Sequence, residues 1–327
     1  MINRRRFIAI SASVAGCSLL GQSVTEASAR STVVWRGKAL GAIASLSIHH
    51  HDRATAERLV RKVVSETERL EQIFSLYRPD SSLSQLNRLG ALAAPPADLV
   101  TLLERCLVAW ELTDGVFDPT VQPLWKLLAD HFSRAGADQA GPRPEEIRKS
   151  LSLVGFDKVV FDRNRVSFGK RGMALTLNGI AQGYITDRAV DVLRRGGIET
   201  SIVDMGEIRA LGSKPDGEPW LVGVRGAQFN QEPPRSIGIV NKAVATSSGK
   251  GFAFDTAMKY THLLDPRSGS SASGRESVTV IAPDAVSADA LSTAFSLMSR
   301  DAIRLVSRSR PEIQAFLTSS VGVTSLL

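Results

Sequence analysis

The chain is poor in the residues that mark several common classes of protein. It has 2 cysteines in 327 residues, which excludes a framework of internal disulfides. Aromatic residues make up 6% of the chain, and the lysines and arginines are scattered rather than clustered with them, so a nucleic-acid-binding surface is not indicated. The formal net charge of +7 is a mild basic excess that would suit an anionic ligand.

The sequence also lacks the signatures of the common nucleotide-binding and hydrolytic folds. It contains neither a G-x-x-x-x-G-K-[ST] loop nor a G-x-G-x-x-G turn, and its predicted elements do not alternate as strand and helix. No Ser-His-Asp set and no spacing of zinc ligands is present. A Rossmann or P-loop domain is therefore not expected.

Residues 1–29 have the composition of an export signal. Three arginines at 4–6 precede an apolar stretch that is short for a membrane span, and the small residues at 27–29 form a cleavage pattern. The arginine run resembles a twin-arginine signal, which exports folded proteins. We expect a periplasmic catalytic domain over residues 30–327. The alternative is lipidation at Cys17, within the lipoprotein-like sequence VAGC, which would anchor the protein to a membrane.

Apolar spacing predicts helices in the first half of the chain and mostly strands in the second. Residues 33–48 are expected as a strand, and helices are expected over 54–74 and 97–112. A hairpin is predicted to turn at 162–165, and a late helix is predicted over 287–299. The other predicted strands have the sequences SIVDM, WLVGV, SIGIV, AVATS, YTHLLD and SVTVIA. This order predicts an α+β fold of mixed sheets with packed helices.

The stretch LTLNGIAQGYITDRAVDVLRRGG, residues 175–197, begins a helix directly after Asn178-Gly179. Backbone amides at such a helix start often bind phosphate. Gly179 and Gly183 remove bulk from one side of the first turn, and Gly183 costs about 1 kcal/mol of helix propensity relative to alanine. Either a ligand or close packing against a strand would explain the missing side chains.

Three further stretches carry candidate chemistry. In SADALSTAF, Asp289 and Thr293 are four residues apart on one helix face, and their oxygens suit Mg²⁺, although the helix dipole alone favours an early aspartate. In YTHLLDPRSG, His262 is either a satisfied core residue or a base for catalysis. In LTDGVFDPTVQPLW, Asp118 caps a following helix, and Phe117 at the bend is expected to stack on a planar ligand.

The order of six motifs resembles that of the ApbE-type FAD:protein FMN transferases over residues 33–310. The motifs are FSLYRPDSSLSQLN, TDGVFDPTVQPL, LNGIAQGYITD, AVATSS, THLLDPRSG and SADALSTAF. The resemblance implies a fold in which FAD and Mg²⁺ bind between two intertwined α/β portions. It also implies transfer of FMN from FAD to a Thr or Ser hydroxyl of a target protein, with release of AMP. The expected targets are subunits of exported or membrane-facing redox complexes.

The same resemblance implies roles for individual residues. Gly179, through its carbonyl, and Asp289 and Thr293, through their side chains, are the expected metal ligands. His262 and Asp289 are the expected catalytic residues. The expected FAD-contacting residues are Leu40, Tyr77, Val116, Phe117, Asp118, Thr176, Gln182, His262 and Leu264.

The chain departs from the family pattern at several of these places. Leu40-Gly41-Ala42 stands where Met-Gly-Thr is usual, Thr176 replaces a common aspartate, and Gln182 replaces a charged residue. Met205 occupies the first position of a usual Gly-Gly-Asp. Two other functions remain open on these grounds: a Mg²⁺-dependent FAD pyrophosphatase, in which water replaces the hydroxyl, or an exported flavin-binding protein without turnover.

Overall fold

The computed structural model of the chain describes residues 32–224, 235–272, 277–319 and 322–326. The predicted export signal, with its arginines at 4–6, its cleavage pattern at 27–29 and Cys17, lies outside these residues. Within the described ranges, no helix combines the length and the apolar character needed to cross a membrane.

The described residues form helices mainly in the first half and strands mainly in the second. The helices are α1 Arg53–Phe74, α2 Ser82–Leu89, α3 Ala97–Leu112, α4 Gln122–Phe132, α5 Pro144–Leu151, α6 Ala181–Arg195, α7 Ala285–Phe295 and α8 Arg300–Ser309. The first strands are β1 Thr32–Ala39, β2 Ala42–His49, β3 Ala91–Ala93, β4 Val159–Phe161, β5 Arg165–Phe168, β6 Ser201–Asp204 and β7 Ile208–Leu211. The later strands are β8 Trp220–Val224, β9 Arg235–Ile239, β10 Ala243–Ser247, β11 Ser277–Ala282, β12 Gln314–Ser319 and β13 Gly322–Ser325.

Local capping fixes the ends of the early helices. The Asp52 side chain accepts a hydrogen bond from the Ala54 amide at the start of α1, and the Ser81 hydroxyl accepts one from Ser84 at the start of α2. Gly90 closes α2 in the left-handed region at φ 78°. These side chains satisfy backbone groups that a helix end otherwise leaves unpaired.

Among the described residues, the main sheet has eight strands in the order β1-β2-β6-β7-β10-β11-β12-β13. Its neighbouring strands are antiparallel. Successive side chains point to opposite faces, and both are buried: Ile202 packs on one side with the β8–β9 hairpin, whereas Val203 joins the main core on the other. Burial on both faces explains why these strands are continuous apolar runs.

Helices α6 and α7 pack against each other, and α7 also packs on β10 and β11. The Asp187 carboxylate of α6 accepts hydrogen bonds from the first two amides of α7, at 2.8 Å from Ala285 and 3.0 Å from Val286. Asp187 also forms an ion pair with Arg209 of β7. One side chain therefore joins two helices and the sheet, which fixes the start of α7 in space.

Three predicted elements differ from the structure. Residues 33–48 form two strands rather than one, because Leu40 and Gly41 have positive φ and turn the chain. The run 260–265 is an irregular segment held by isolated bridges, Ala253 to Thr261 and Leu264 to Ser271. The helix predicted over 287–299 spans 285–295 instead, since Ser299 caps a separate helix, α8, by accepting from the Ala302 amide.

Candidate active site

One cavity is lined by every residue that the motif resemblance singled out for FAD or metal binding. It lies between the start of α6, the middle of α7, the bend before α4 and the segment that carries His262. The lining residues that were predicted are Leu40, Tyr77, Val116, Phe117, Asp118, Thr176, Gly179, Gln182, His262, Leu264, Asp289 and Thr293. Residues far apart in the sequence thus meet at a single site.

One side of the cavity, which we call the bend wall, is formed by residues 116–125. The Asp118 side chain is 8% exposed, and one of its oxygens accepts from the Thr120 amide at 2.7 Å and from the Thr120 hydroxyl. The other oxygen accepts from the Phe156 amide at 3.0 Å. Because the carboxylate is committed to these partners, any contact of Asp118 with a ligand would use its backbone.

The predicted stacking role of Phe117 is not supported by its surroundings. Phe117 lines the cavity but is only 4% exposed and belongs to the main hydrophobic core. Of the aromatic residues that line the cavity in the described part of the chain, Tyr77 is the most exposed, at 53%. The pKa of Tyr77 is raised by burial of its hydroxyl, which hydrogen-bonds with Asn178. Tyr77 therefore presents a ring that is held in place at the cavity edge.

The opposite side, which we call the helix wall, consists of residues 179–183, Glu207 and residues 289–293. Both glycines lie close to α7, and at Gly183 the missing side chain makes room for the backbone of that helix. A Cβ on Gly183 would lie 2.2 Å from the carbonyl oxygen of Ala285, and one on Gly179 would lie 3.0 Å from the hydroxyl of Thr293. The expectation that these glycines admit FAD or pack on a strand is therefore wrong at Gly183, which packs on the start of α7.

The packing of α6 against α7 also positions the polar side chains of α7. The amide of Gly183, which was a candidate phosphate donor, instead donates to Asp289 Oδ2 at 2.9 Å. Asp289 is 4% exposed, and burial, opposed by this hydrogen bond, raises the pKa of its carboxyl. The Thr293 hydroxyl lies 3.3 Å from the Ser247 hydroxyl. A carboxylate, two hydroxyls and the nearby Gly179 backbone form a set of hard oxygen ligands of the kind that Mg²⁺ prefers.

Sequence reasoning missed one acidic residue of this wall. Glu207 lines the cavity and is 4% exposed, and burial followed by the charges of Asp289 and Asp204 raises the pKa of its carboxyl. Its Oε2 has no hydrogen-bond partner among the described residues, and neither has the Nε2 of Gln182. The sequence could have indicated Glu207, because in VDMGEI it is an acidic residue that follows an apolar, strand-like run.

His262 lies at the remaining side of the cavity with a defined tautomer. Its Nδ1 is 3.1 Å from the carbonyl oxygen of Phe252. A carbonyl can only accept, so Nδ1 carries the proton and Nε2 carries the lone pair. Burial lowers the pKa of His262 below its ordinary value, which keeps the ring neutral at pH 7. The arrangement provides a neutral imidazole base in a site with acidic groups across from it.

Comparisons with known proteins agree with this geometry. The model of the ApbE family matches residues 40–317. The FAD:protein FMN transferase of Treponema pallidum is 29% identical over 283 residues, which cover 80% of this chain and 77% of that protein. The solved ApbE protein of Thermotoga maritima is 30% identical with a TM-score of 0.77, covering 90% of this chain and 96% of that one. The apo flavinyl transferase ApbE of Pseudomonas stutzeri is 26% identical with a TM-score of 0.78, covering 90% and 94%. The predicted fold class is confirmed.

Proposed function

This chain belongs to the ApbE family, and from that premise we propose that it transfers FMN from FAD to a Thr or Ser hydroxyl of an acceptor protein. The curated relatives carry the name FAD:protein FMN transferase. The observation that supports the proposal for this chain is the convergence of all its matched motif residues on one cavity. The acceptor is proposed to be a subunit of a flavin-dependent redox complex.

The proposed reaction is a phosphoryl-type transfer. The acceptor oxygen forms a bond to the phosphorus of the FMN half of FAD, the bond from that phosphorus to the bridging oxygen breaks, and AMP leaves with that oxygen. The hydroxyl proton passes to Nε2 of His262, the ring nitrogen that carries the lone pair when Nδ1 donates to Phe252. Positioning of FAD accounts for much of the remaining catalysis.

We propose that Mg²⁺ is held by the Gly179 carbonyl, the Asp289 carboxylate and the Thr293 hydroxyl. The fit rests on the chemistry of these ligands and on charge. Among the described residues that line the cavity there is no lysine or arginine, and His262 is the one basic residue. The chemistry that a bound Mg²⁺ supplies is neutralisation of the diphosphate charge that develops as AMP departs.

The FAD-binding assignments stay proposals for Leu40, Val116, Thr176, Gln182 and Leu264. Thr176 offers a hydroxyl that accepts from the Asn178 amide at 3.3 Å, and its own amide donates to the Pro119 carbonyl at 2.8 Å. These two contacts connect the helix wall to the bend wall. We propose that FAD lies across this connection, beside the ring of Tyr77.

The direct test is incubation of the full chain with FAD, Mg²⁺ and an acceptor protein, followed by intact-mass measurement of the acceptor. We expect a mass gain of one FMN and an equal amount of AMP. AMP released at the same rate without an acceptor would identify a pyrophosphatase instead. FAD binding with no AMP in either reaction would identify a flavin-binding protein without turnover.

We also propose that the protein is exported to the periplasm and that residues 1–29 are removed. Replacing Arg4 and Arg5 by lysine should trap the precursor inside the cell if the twin-arginine route is used. Normal secretion of that double variant would contradict the route. The mass of the mature amino terminus distinguishes cleavage after Ala29 from lipidation of Cys17, which would place the enzyme on a membrane.

A further inference from the structure

Three carboxylates line the cavity, and they differ in how their oxygens are used. Both oxygens of Asp118 accept hydrogen bonds from protein groups. Asp289 has one oxygen held by the Gly183 amide. The Glu207 carboxylate accepts from the backbone of Thr246, while its Oε2 has no partner among the described residues. Asp289 and Glu207 therefore share one arrangement, in which a backbone amide holds the carboxylate and one oxygen is left for a ligand.

Because Glu207 is buried, leaving its Oε2 without a hydrogen bond or a counter-charge costs free energy. The residue is 4% exposed, and an uncompensated charge in such surroundings is strongly unfavourable. Of the described residues that line the cavity, only His262 is basic, and burial lowers its pKa. A buried carboxylate close to Asp289 must therefore either bind a proton or face a cation that the protein itself does not supply.

A second buried polar group points to a ligand at the same place. Gln182 is 8% exposed and comes from a different element, yet its Nε2 also lacks a partner among the described residues. Gly206 allows this approach, because a Cβ there would lie 2.6 Å from Gln182 Nε2. The N–H groups of Gln182 suit an anionic group of a ligand, such as a phosphate, whereas the free oxygen of Glu207 suits a cation. In native structures such groups usually bind water or a ligand.

We infer that Glu207 supplies a second carboxylate to the divalent-cation site, alongside Asp289 and Thr293. The inference rests on the proposed function, since it adds a ligand to the metal site described there. Its chemistry is that of a hard cation, which gains from each added anionic oxygen. The backbone hydrogen bonds that hold both carboxylates correspond to the outer contacts that orient metal ligands in proteins.

The test is direct titration of the full chain with Mg²⁺ by calorimetry in the absence of FAD. Glu207→Gln keeps the size of the side chain and an oxygen for the Thr246 amide. We expect its Mg²⁺ affinity to fall by about tenfold or more. Asp204→Asn is the matched control, because Asp204 is a half-buried acidic neighbour that is not among the residues lining the cavity, and Asn keeps the oxygen that accepts from Gly206. Wild-type affinity in Glu207→Gln, or an equal loss in Asp204→Asn, would overturn the inference.

A second variant covers the case in which Glu207→Gln fails to fold. Glu207→Asp keeps the charge but withdraws the carboxylate by one methylene. Because Ca²⁺ tolerates longer and less regular coordination than Mg²⁺, we expect the ratio of Ca²⁺ to Mg²⁺ affinity to rise. A protonated carboxyl with a purely structural role would leave this ratio unchanged, and that result would contradict the proposal.

The same protein preparation separates the inference from the proposed function. If the wild-type chain binds Mg²⁺ and transfers FMN while Glu207→Gln binds Mg²⁺ equally well, only the role of Glu207 is overturned. If the wild-type chain binds Mg²⁺ with the expected dependence on Glu207 but transfers no FMN to any acceptor, the proposed function fails and the metal site stands. A wild-type chain that binds no Mg²⁺ in the absence of FAD overturns the inference, and the mass of the acceptor then decides the proposed function by itself.

Discussion

The bend wall and the helix wall of the cavity satisfy their buried polar groups in different ways. On the bend wall, the Asp118 carboxylate is fully used by Thr120 and Phe156. On the helix wall, Gln182 Nε2 and Glu207 Oε2 have no partner within the described ranges. The difference indicates that the polar groups of the two walls have different roles. Polar groups of the bend wall stabilise the fold, whereas those of the helix wall are available to a ligand.

The largest expected effect is that of Asp289→Asn on the helix wall. Asparagine keeps an oxygen for the Gly183 amide but removes the charge, so the fold should persist while Mg²⁺-dependent FMN transfer falls by roughly 10³-fold or more. Single-turnover AMP release at saturating FAD and Mg²⁺ measures the effect. Asp301→Asn, at an exposed ion pair of α8, is the control and should behave as wild type. Full activity in Asp289→Asn would show that Asp289 is not a metal ligand and serves only to hydrogen-bond α7 to α6.

Replacing His262 by asparagine tests the third side of the cavity. If His262 is the base, the variant should bind FAD but transfer FMN about 10²–10⁴-fold more slowly, and the defect should persist at saturating FAD. If His262 is only structural, stability should fall by about 1–3 kcal/mol with an unchanged rate. The control is His131→Asn, since His131 lies outside the cavity.

The pH profile sharpens this test. In the proposed reaction the neutral imidazole of His262 is the base, and burial lowers its pKa. The limb of the profile that His262 contributes should therefore have its midpoint below the ordinary histidine pKa of about 6.5. The profile is measured at saturating Mg²⁺, because burial raises the pKa of Asp289 to about 7 and a bound cation keeps this carboxylate ionised. The limb that belongs to His262 should be missing from the residual activity of His262→Asn. A midpoint above the ordinary value would contradict the buried, neutral state of the ring.

The comparison of the two walls predicts opposite changes in the free energy of unfolding when Asp118 and Glu207 are neutralised. Asp118→Asn replaces an acceptor oxygen by an amide group beside the Thr120 and Phe156 donors, so the free energy of unfolding should fall by about 1–3 kcal/mol. Glu207→Gln should leave the metal-free protein at least as stable as wild type, because a buried carboxylate without a cation is removed. Urea denaturation without Mg²⁺ measures both. Equal destabilisation would remove the distinction between the walls.

An effect on stability of the same size as that of Asp118→Asn is expected at the contact between α6 and α7. A Cβ on Gly183 would lie 2.2 Å from the Ala285 carbonyl, so Gly183→Ala should lower the free energy of unfolding by about 1–3 kcal/mol through overpacking. Gly249→Ala is the matched control, because its Cβ would meet its nearest neighbour at 3.5 Å and its φ is not positive. Thermal melting checks both variants. A Gly183→Ala protein as stable as wild type would show that the helices can shift apart.

Local sequence patterns were sufficient for much of the fold. Helical spacing predicted α1 and α3 nearly to their ends, since this signal acts within a few residues. The turn between β4 and β5 was likewise predicted from its own residues. The segment 260–265 was predicted wrongly as a strand, because an apolar run does not reveal whether a neighbouring strand will pair along its whole length.

What the sequence determined by itself is the inventory and order of the motifs, and with them the family and the set of residues that meet at the cavity. What only the tertiary structure decided is how each of those residues is used. Gly183 and Asp289 are 106 residues apart, yet their hydrogen bond removes a candidate phosphate donor and orients a carboxylate. The burial of Phe117 and the unpaired oxygen of Glu207 arise in the same way. Burial and hydrogen bonding depend on which distant groups approach, and that is fixed only when the helices and the sheet pack together.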